Sequence, residues 1–61
     1  MKKVLRGLSY NRACDVLAVN WIVNDDVEIK HNSVHDITIF KMSGVVVARY
    51  VERLGRLEYR G

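Results

Sequence analysis

The chain has no proline and only one cysteine among its 61 residues. Because proline is absent, no position is barred from the interior of a strand. A single cysteine excludes an internal disulfide, so the fold must hold without a covalent link. Cysteine left unpaired is also typical of proteins in a reducing compartment. We therefore predict a cytoplasmic protein.

Long apolar runs and catalytic constellations are also missing. No run approaches the roughly 18 residues of a membrane span, so no membrane partner is predicted. There is no glycine-rich phosphate loop and no serine in a nucleophile-elbow context. His31, His35 and Asp36 are too few for a metal site, and Cys14 belongs to no catalytic signature. We predict a non-enzymatic protein without a cofactor or metal.

The chain is short but rich in apolar residues. Hydrophobic residues make up 49% of the sequence, whereas a domain of this size buries only about 60% of its unfolded surface. Some apolar surface is therefore expected to be buried between chains. The simplest arrangement is a twofold homodimer.

Most of the sequence has the composition of strands and turns. Val27 and Ile29 alternate with polar residues, as on a half-exposed strand. Gly44 suits the turn of a hairpin, and Val45 begins a run of three valines. The predicted strands are residues 3–10, 15–23, 27–30, 34–41 and a strand from residue 45, with a turn at 11–14. Residues 1–61 are thus predicted to form one mainly β domain, a small antiparallel sheet of hairpins.

Trp21 is the single tryptophan and lies in the predicted strand 15–23, which is apolar on both faces. A strand of that kind is covered on both sides. We therefore predict that Trp21 packs in the core, with an interface anchor as the alternative.

Four arginines near the C-terminus, Arg49, Arg53, Arg56 and Arg60, recur at intervals of four, three and four. On a helix they would form one positive stripe opposite an apolar face. On a strand with a bulge at Gly55 they could also share a face. The preceding valines favour the strand slightly, and glycine disfavours a helix interior.

The four arginines, Arg49, Arg53, Arg56 and Arg60, are the best candidates for contact with a partner. Guanidinium groups bind carboxylate or phosphate through paired hydrogen bonds, and Tyr50 and Tyr59 could add stacking. The alternative is a solvated surface on which the arginines form local ion pairs, for example Arg49 or Arg56 with Glu52.

The order of these motifs resembles the DUF2283 family of small bacterial domains of unknown function. Residues Tyr10–Val19 follow the spacing of the family's opening hairpin. Residues 36–40, the turn at Gly44 and the strand from Val45 are similar to its closing hairpin. The resemblance spans residues 8–51 and implies an interaction module, since such domains are thought of as partners of small toxin-like proteins.

The net charge of +3 permits either an acidic protein or a nucleic acid as partner. We expect a small regulatory or inhibitory protein that binds another protein with an acidic surface. An origin in a phage or mobile element would suit its size. The alternative is a small basic nucleic-acid-binding protein that uses the arginines on phosphates.

Overall fold

A computed structural model describes residues 2–61 as a five-stranded antiparallel sheet with one helix packed on one face. The elements are β1 (Lys2–Leu5), α1 (Tyr10–Val19), β2 (Glu28–Asn32), β3 (Ile37–Met42), β4 (Val45–Val51), a 3₁₀ turn (Glu52–Leu54) and β5 (Arg56–Arg60). The strand order is β1-β5-β4-β3-β2, so the first and last strands pair with each other. The prediction of a mainly β fold is confirmed.

The turns between β2 and β5 follow local sequence chemistry. Ser43 and Gly44 both have positive φ, 52° and 78°, and form the two-residue hairpin between β3 and β4. The Asn32 side chain accepts hydrogen bonds from the backbone amides of Val34 and His35 and so shapes the β2–β3 turn. Strands β2, β3 and β4 are predicted correctly from the sequence, with small shifts of their ends.

The prediction for residues 10–23 is wrong, because this segment begins with a helix instead of a turn and strand. Ser9 caps α1 through its side chain, which accepts a hydrogen bond from the Arg12 amide at 3.2 Å. Ala13 and Leu17, one helical turn apart, are fully buried against the sheet. From Leu17 onward, apolar residues also recur at every second position, as on a strand. This second pattern favoured the strand over the helix in the prediction.

The end of α1 explains why Trp21 is not in the core. The Trp21 amide bonds to the Ala18 carbonyl, and the Ile22 amide bonds to the Leu17 carbonyl. This is the Schellman arrangement, in which the residue at the Trp21 position takes a left-handed conformation and is usually glycine. Trp21 has φ 59°, which costs about 1–2 kcal/mol for a residue with a side chain. Its side chain is 89% exposed, so the predicted core position is wrong.

One layer of side chains between α1 and the sheet forms the core. Leu17 of α1 and Phe40 of β3 are large and almost fully buried, and the small Ala48 pairs with Phe40 across the sheet. The buried apolar residues are Ala13, Leu17, Phe40, Ala48, Tyr50, Leu57 and Tyr59. In residues 2–61 no helix has the length and apolarity needed to cross a bilayer.

The connection between β1 and α1 is held on the sheet at Leu8. The Tyr50 hydroxyl donates to the Leu8 carbonyl at 2.7 Å. The Leu8 amide donates to the Gly55 carbonyl at 3.0 Å. Both polar groups of Leu8 are therefore satisfied by the C-terminal hairpin, which fixes where α1 begins.

Gly55 combines a left-handed conformation with close backbone contact. Its φ is 61°, and a Cβ added there would lie 2.9 Å from the Leu8 carbonyl oxygen. The chain reverses at this glycine between β4 and β5, so the predicted bulge is instead a full turn. The prediction that residues beyond Ala48 continue as strand is confirmed for β4 and β5.

Replacing Gly55 tests the close approach of these two segments. We expect Gly55→Ala to lower the free energy of unfolding by about 2–4 kcal/mol, because the Leu8 backbone must move. Gly44→Ala is the matched control: it also has positive φ but no atom within 4 Å of the added Cβ, so it should cost about 1 kcal/mol. Urea denaturation measures both, and equal losses would contradict the contact.

Tyr50→Phe tests the hydrogen bond to Leu8. The part-buried Leu8 carbonyl loses its donor, so we expect the free energy of unfolding to fall by about 1–2 kcal/mol, with a smaller loss for Tyr59→Phe, which does not hold Leu8.

Burial raises the pKa of Tyr50, and the nearby Glu52 carboxylate adds to the shift. Its stabilising contribution is thus complete below about pH 10 and is lost as pH rises through the folded-state pKa. Tyr50→Phe should flatten this alkaline decline in urea-denaturation measurements.

Candidate partner-binding face

The sheet has one covered face and one open face. Along β4, Ala48 and Tyr50 are buried beneath α1, whereas Arg49 and Val51 point to the opposite side because side chains alternate along a strand. Directly paired residues of neighbouring strands share a face. The register therefore assigns each strand residue to one of the two faces.

One row of side chains crosses the open face from edge to edge. Val4, Glu58, Arg49, Ile39 and Lys30 are consecutive partners across β1, β5, β4, β3 and β2. A second row contains Arg56, Val51, Ile37 and Asn32. Lys2 pairs with Arg60 at the β1 edge. Arginine and lysine thus flank an apolar centre.

The net positive charge of the chain comes from the residues of the open face. Its six basic residues are Lys2, Lys30, Lys41, Arg49, Arg56 and Arg60, and its two acidic residues are Glu28 and Glu58. We call this set the basic sheet face; its balance is +4. The rest of the chain has four basic and five acidic residues. The net charge of +3 therefore hides a strong separation of charge between the two sides.

Glu58 organises the cations around it. Its carboxylate lies 3.4 Å from the Lys2 ammonium and forms a second ion pair with the Arg56 guanidinium. Arg49 is its direct partner across the sheet. The Glu58 side chain is only 13% exposed, but Lys2 is 66% exposed and Arg56 36%, so the pair with Arg56 is the better shielded from water. In the alternative drawn from the sequence, Arg49 or Arg56 would pair with Glu52; in the structure Arg56 pairs with Glu58 instead.

Cationic groups on this face remain available for a partner. Within residues 2–61, Arg49 and Arg60 form no ion pair. A depression of about 290 Å³ between β1, β5 and β4 is lined by three cations, Lys2, Arg49 and Arg60, and by the Glu58 side chain. An anionic group entering there would meet cationic donors on several sides, and the ion pairs of Glu58 with Lys2 and Arg56 offset the one carboxylate.

The arginines predicted from the sequence are only partly brought together. Arg49, Arg56 and Arg60 share the basic sheet face. Arg53 lies on the 3₁₀ turn and lines a different depression, beside the β2–β3 turn.

Tyr50 and Tyr59, predicted as stacking residues, lie on the other face and are 2% and 6% exposed. Buried rings cannot stack on a partner, so both belong to the core and not to the contact surface.

Two important residues of the face were not predicted. Lys2 joins it only because β1 pairs with β5, which no local sequence signal reveals. Glu58 lies between Arg56 and Arg60 in the sequence, and these three charged residues alternate with Leu57 and Tyr59. This alternation is the sequence signal of a strand with one charged face.

The other candidate residues lie on separate elements. His31 of β2 has its Nδ1 2.9 Å from the Thr38 hydroxyl oxygen, His35 lies in the β2–β3 turn and Cys14 is half-buried in α1. Among residues 2–61 no three histidine, cysteine or acidic residues gather as metal ligands would.

Comparisons with protein-family models, curated proteins and solved structures give no match. The resemblance to the DUF2283 family therefore stays a prediction from the motifs.

Glu58→Gln tests the charge balance of this face. The amide cannot neutralise Lys2 and Arg56, so we expect a stability loss of about 1 kcal/mol or less and later elution from a heparin column. Glu52→Gln makes the same change in net charge away from the face and should shift the elution less. Equal shifts would show that heparin responds to total charge and not to this face.

Proposed function

We propose that the protein is a small non-enzymatic regulator or inhibitor that binds another protein through the basic sheet face. The observation that carries this proposal is the separation of charge, with a balance of +4 on one open side of the sheet. A partner with an acidic surface complements this charge. Such complementarity accelerates association and selects against wrong partners.

The composition of the face also fits a protein partner. Ile37, Ile39 and Val51 are half-buried at its centre, and arginine and lysine surround them. Interfaces between proteins commonly have an apolar centre and a polar rim, and arginine is enriched in them. The apolar centre would contribute affinity, and the rim would orient the partner.

Nucleic acid fits the face less well. Stacking side chains are a main source of affinity for single strands, and both candidate tyrosines are buried beneath α1. What remains is contact between arginines and phosphates. Binding of that kind weakens steeply with salt, with a slope of log K on log salt of roughly −3 to −4 for four phosphates.

We also propose that the protein is a homodimer and acts in the cytoplasm. Its single cysteine supports the second point. The first is supported by large hydrophobic side chains left exposed, above all Val19 and Trp21. Within residues 2–61 the buried core holds seven apolar residues, which is few, and domains of this size often gain stability from association.

Arginine variants test the proposed binding. The partner captured by the immobilised protein from an extract of its host would be identified by mass spectrometry and purified. Calorimetric titration should then show Arg49→Ala and Arg60→Ala each binding about fivefold more weakly, equal to roughly 1 kcal/mol. Each variant removes one cation from the depression on the face.

The matched control is Arg53→Ala, which removes the same charge from the 3₁₀ turn. We expect it to change the affinity less than twofold. If Arg53→Ala weakens binding as much as Arg49→Ala, the basic sheet face is not the contact surface. If purified duplex or single-stranded DNA binds with the steep salt dependence given above, the partner is a nucleic acid instead.

A further inference from the structure

The end of α1 presents an apolar side chain where the backbone favours none. Trp21 has φ 59° in the position of the Schellman motif that glycine usually occupies. Glycine would form the same two hydrogen bonds without strain, since both use backbone atoms. Tryptophan at this position therefore does not serve the helix end.

Packing within the chain does not explain the tryptophan either. Its side chain is 89% exposed, and Val19, two residues earlier on α1, is 77% exposed. A strained residue is retained where function requires it. Exposed tryptophan is also the residue type that most often supplies binding energy at the centre of an interface. We call Val19 and Trp21 the helix-end patch.

We infer that the helix-end patch is the contact surface between two copies of this chain. The inference rests on the homodimer proposed above and is independent of the acidic partner. The remaining exposed charges of α1 are one cation, Arg12, and one anion, Asp15. A helix side with one charge of each sign is neutral and complementary to itself about a twofold axis. Two basic sheet faces, each with a balance of +4, would repel each other.

The position of the helix makes this dimer compatible with partner binding. Because α1 covers the face of the sheet opposite the basic sheet face, pairing through α1 leaves both basic faces open. The exposed Ala18 between Asp15 and the patch is small, which lets two helices approach closely. A dimer of this form would present two binding faces and could hold a partner with repeated acidic surfaces more firmly than a monomer.

The contact is expected to be modest in size. Each indole contributes about 150–250 Å² of buried surface, so two copies of the patch fall below the area of a standard interface, about 1,600 Å². We therefore expect a dissociation constant in the micromolar range or weaker.

The single tryptophan provides a direct test. We expect the fluorescence of the wild-type protein to resemble that of a solvent-exposed indole at low concentration. It should shift to shorter wavelength as concentration rises, in step with dimer formation in sedimentation equilibrium. Trp21→Gly should raise the dimer dissociation constant at least about tenfold and should keep or raise the melting temperature. Trp21→Asn, which also tolerates positive φ, should weaken the dimer similarly.

Leu54→Ala is the matched control, since Leu54 is an exposed apolar side chain on the 3₁₀ turn, and its dimer should match the wild type. A dimer that persists in Trp21→Gly, or forms without a fluorescence shift, would place the contact elsewhere while keeping the homodimer. A wild-type protein that stays monomeric at all concentrations would overturn both the homodimer and the helix-end patch as its contact. A fluorescence shift seen only when the purified acidic partner is added would assign the patch to that partner. None of these results bears on the arginine variants.

Discussion

The attachment of Leu8 to the C-terminal hairpin is the constraint on which the rest of the structure depends. The Tyr50 hydroxyl donates a hydrogen bond to the Leu8 carbonyl, and the Leu8 amide donates one to the Gly55 carbonyl. This contact joins residues more than forty positions apart and places the start of α1 over the covered face of the sheet. Within residues 2–61 the buried core holds seven apolar residues, of which only Ala13 and Leu17 come from α1, so the attachment of Leu8 helps to determine on which side of the sheet the helix lies.

The side that the helix covers decides what the other side can do. Ala13 and Leu17 bury the tyrosines of β4 and β5, so Arg49 and Glu58, their neighbours in sequence, must face away from the helix. The pairing of β1 with β5 then brings Lys2 beside Glu58 and Arg60. Charges that are evenly spread along the chain thus become concentrated on one face. A chain with a net charge of only +3 acquires a surface suited to an acidic partner.

The two proposed surfaces lie on opposite sides of the sheet and differ in physical character. The basic sheet face combines cations with an apolar centre, and its charge favours a partner of opposite sign. The helix-end patch is apolar and nearly neutral, so its charge does not oppose self-association. The division allows one small domain to pair with itself and to keep its binding face open, a consequence of having a helix on only one face of the sheet.

Local sequence signals determined the central part of this fold. Gly44 after Ser43, the triple valine at Val45 and the alternation at Ile29 specify hairpins through turn geometry and period-two patterning, and these depend only on neighbouring residues. The capping serine before Tyr10 and the spacing of Ala13 and Leu17 were also present in the sequence. The competing alternation further along obscured them, and the DUF2283-like motif spacing in that segment had also implied a hairpin.

Only the tertiary structure decided the candidate site. The regular spacing of the C-terminal arginines indicated one stripe, but the turn at Gly55 divides them between two strands and leaves Arg53 outside the face. Lys2 and Glu58 meet through strand pairing between the chain ends, and Trp21 is exposed because α1 ends two residues before it. The sequence by itself determined which segments could become strands and that four arginines recur at regular spacing near the C-terminus. Long-range pairing determined which side chains share a face, because the face of each residue depends on the register between distant strands and on where the helix covers the sheet.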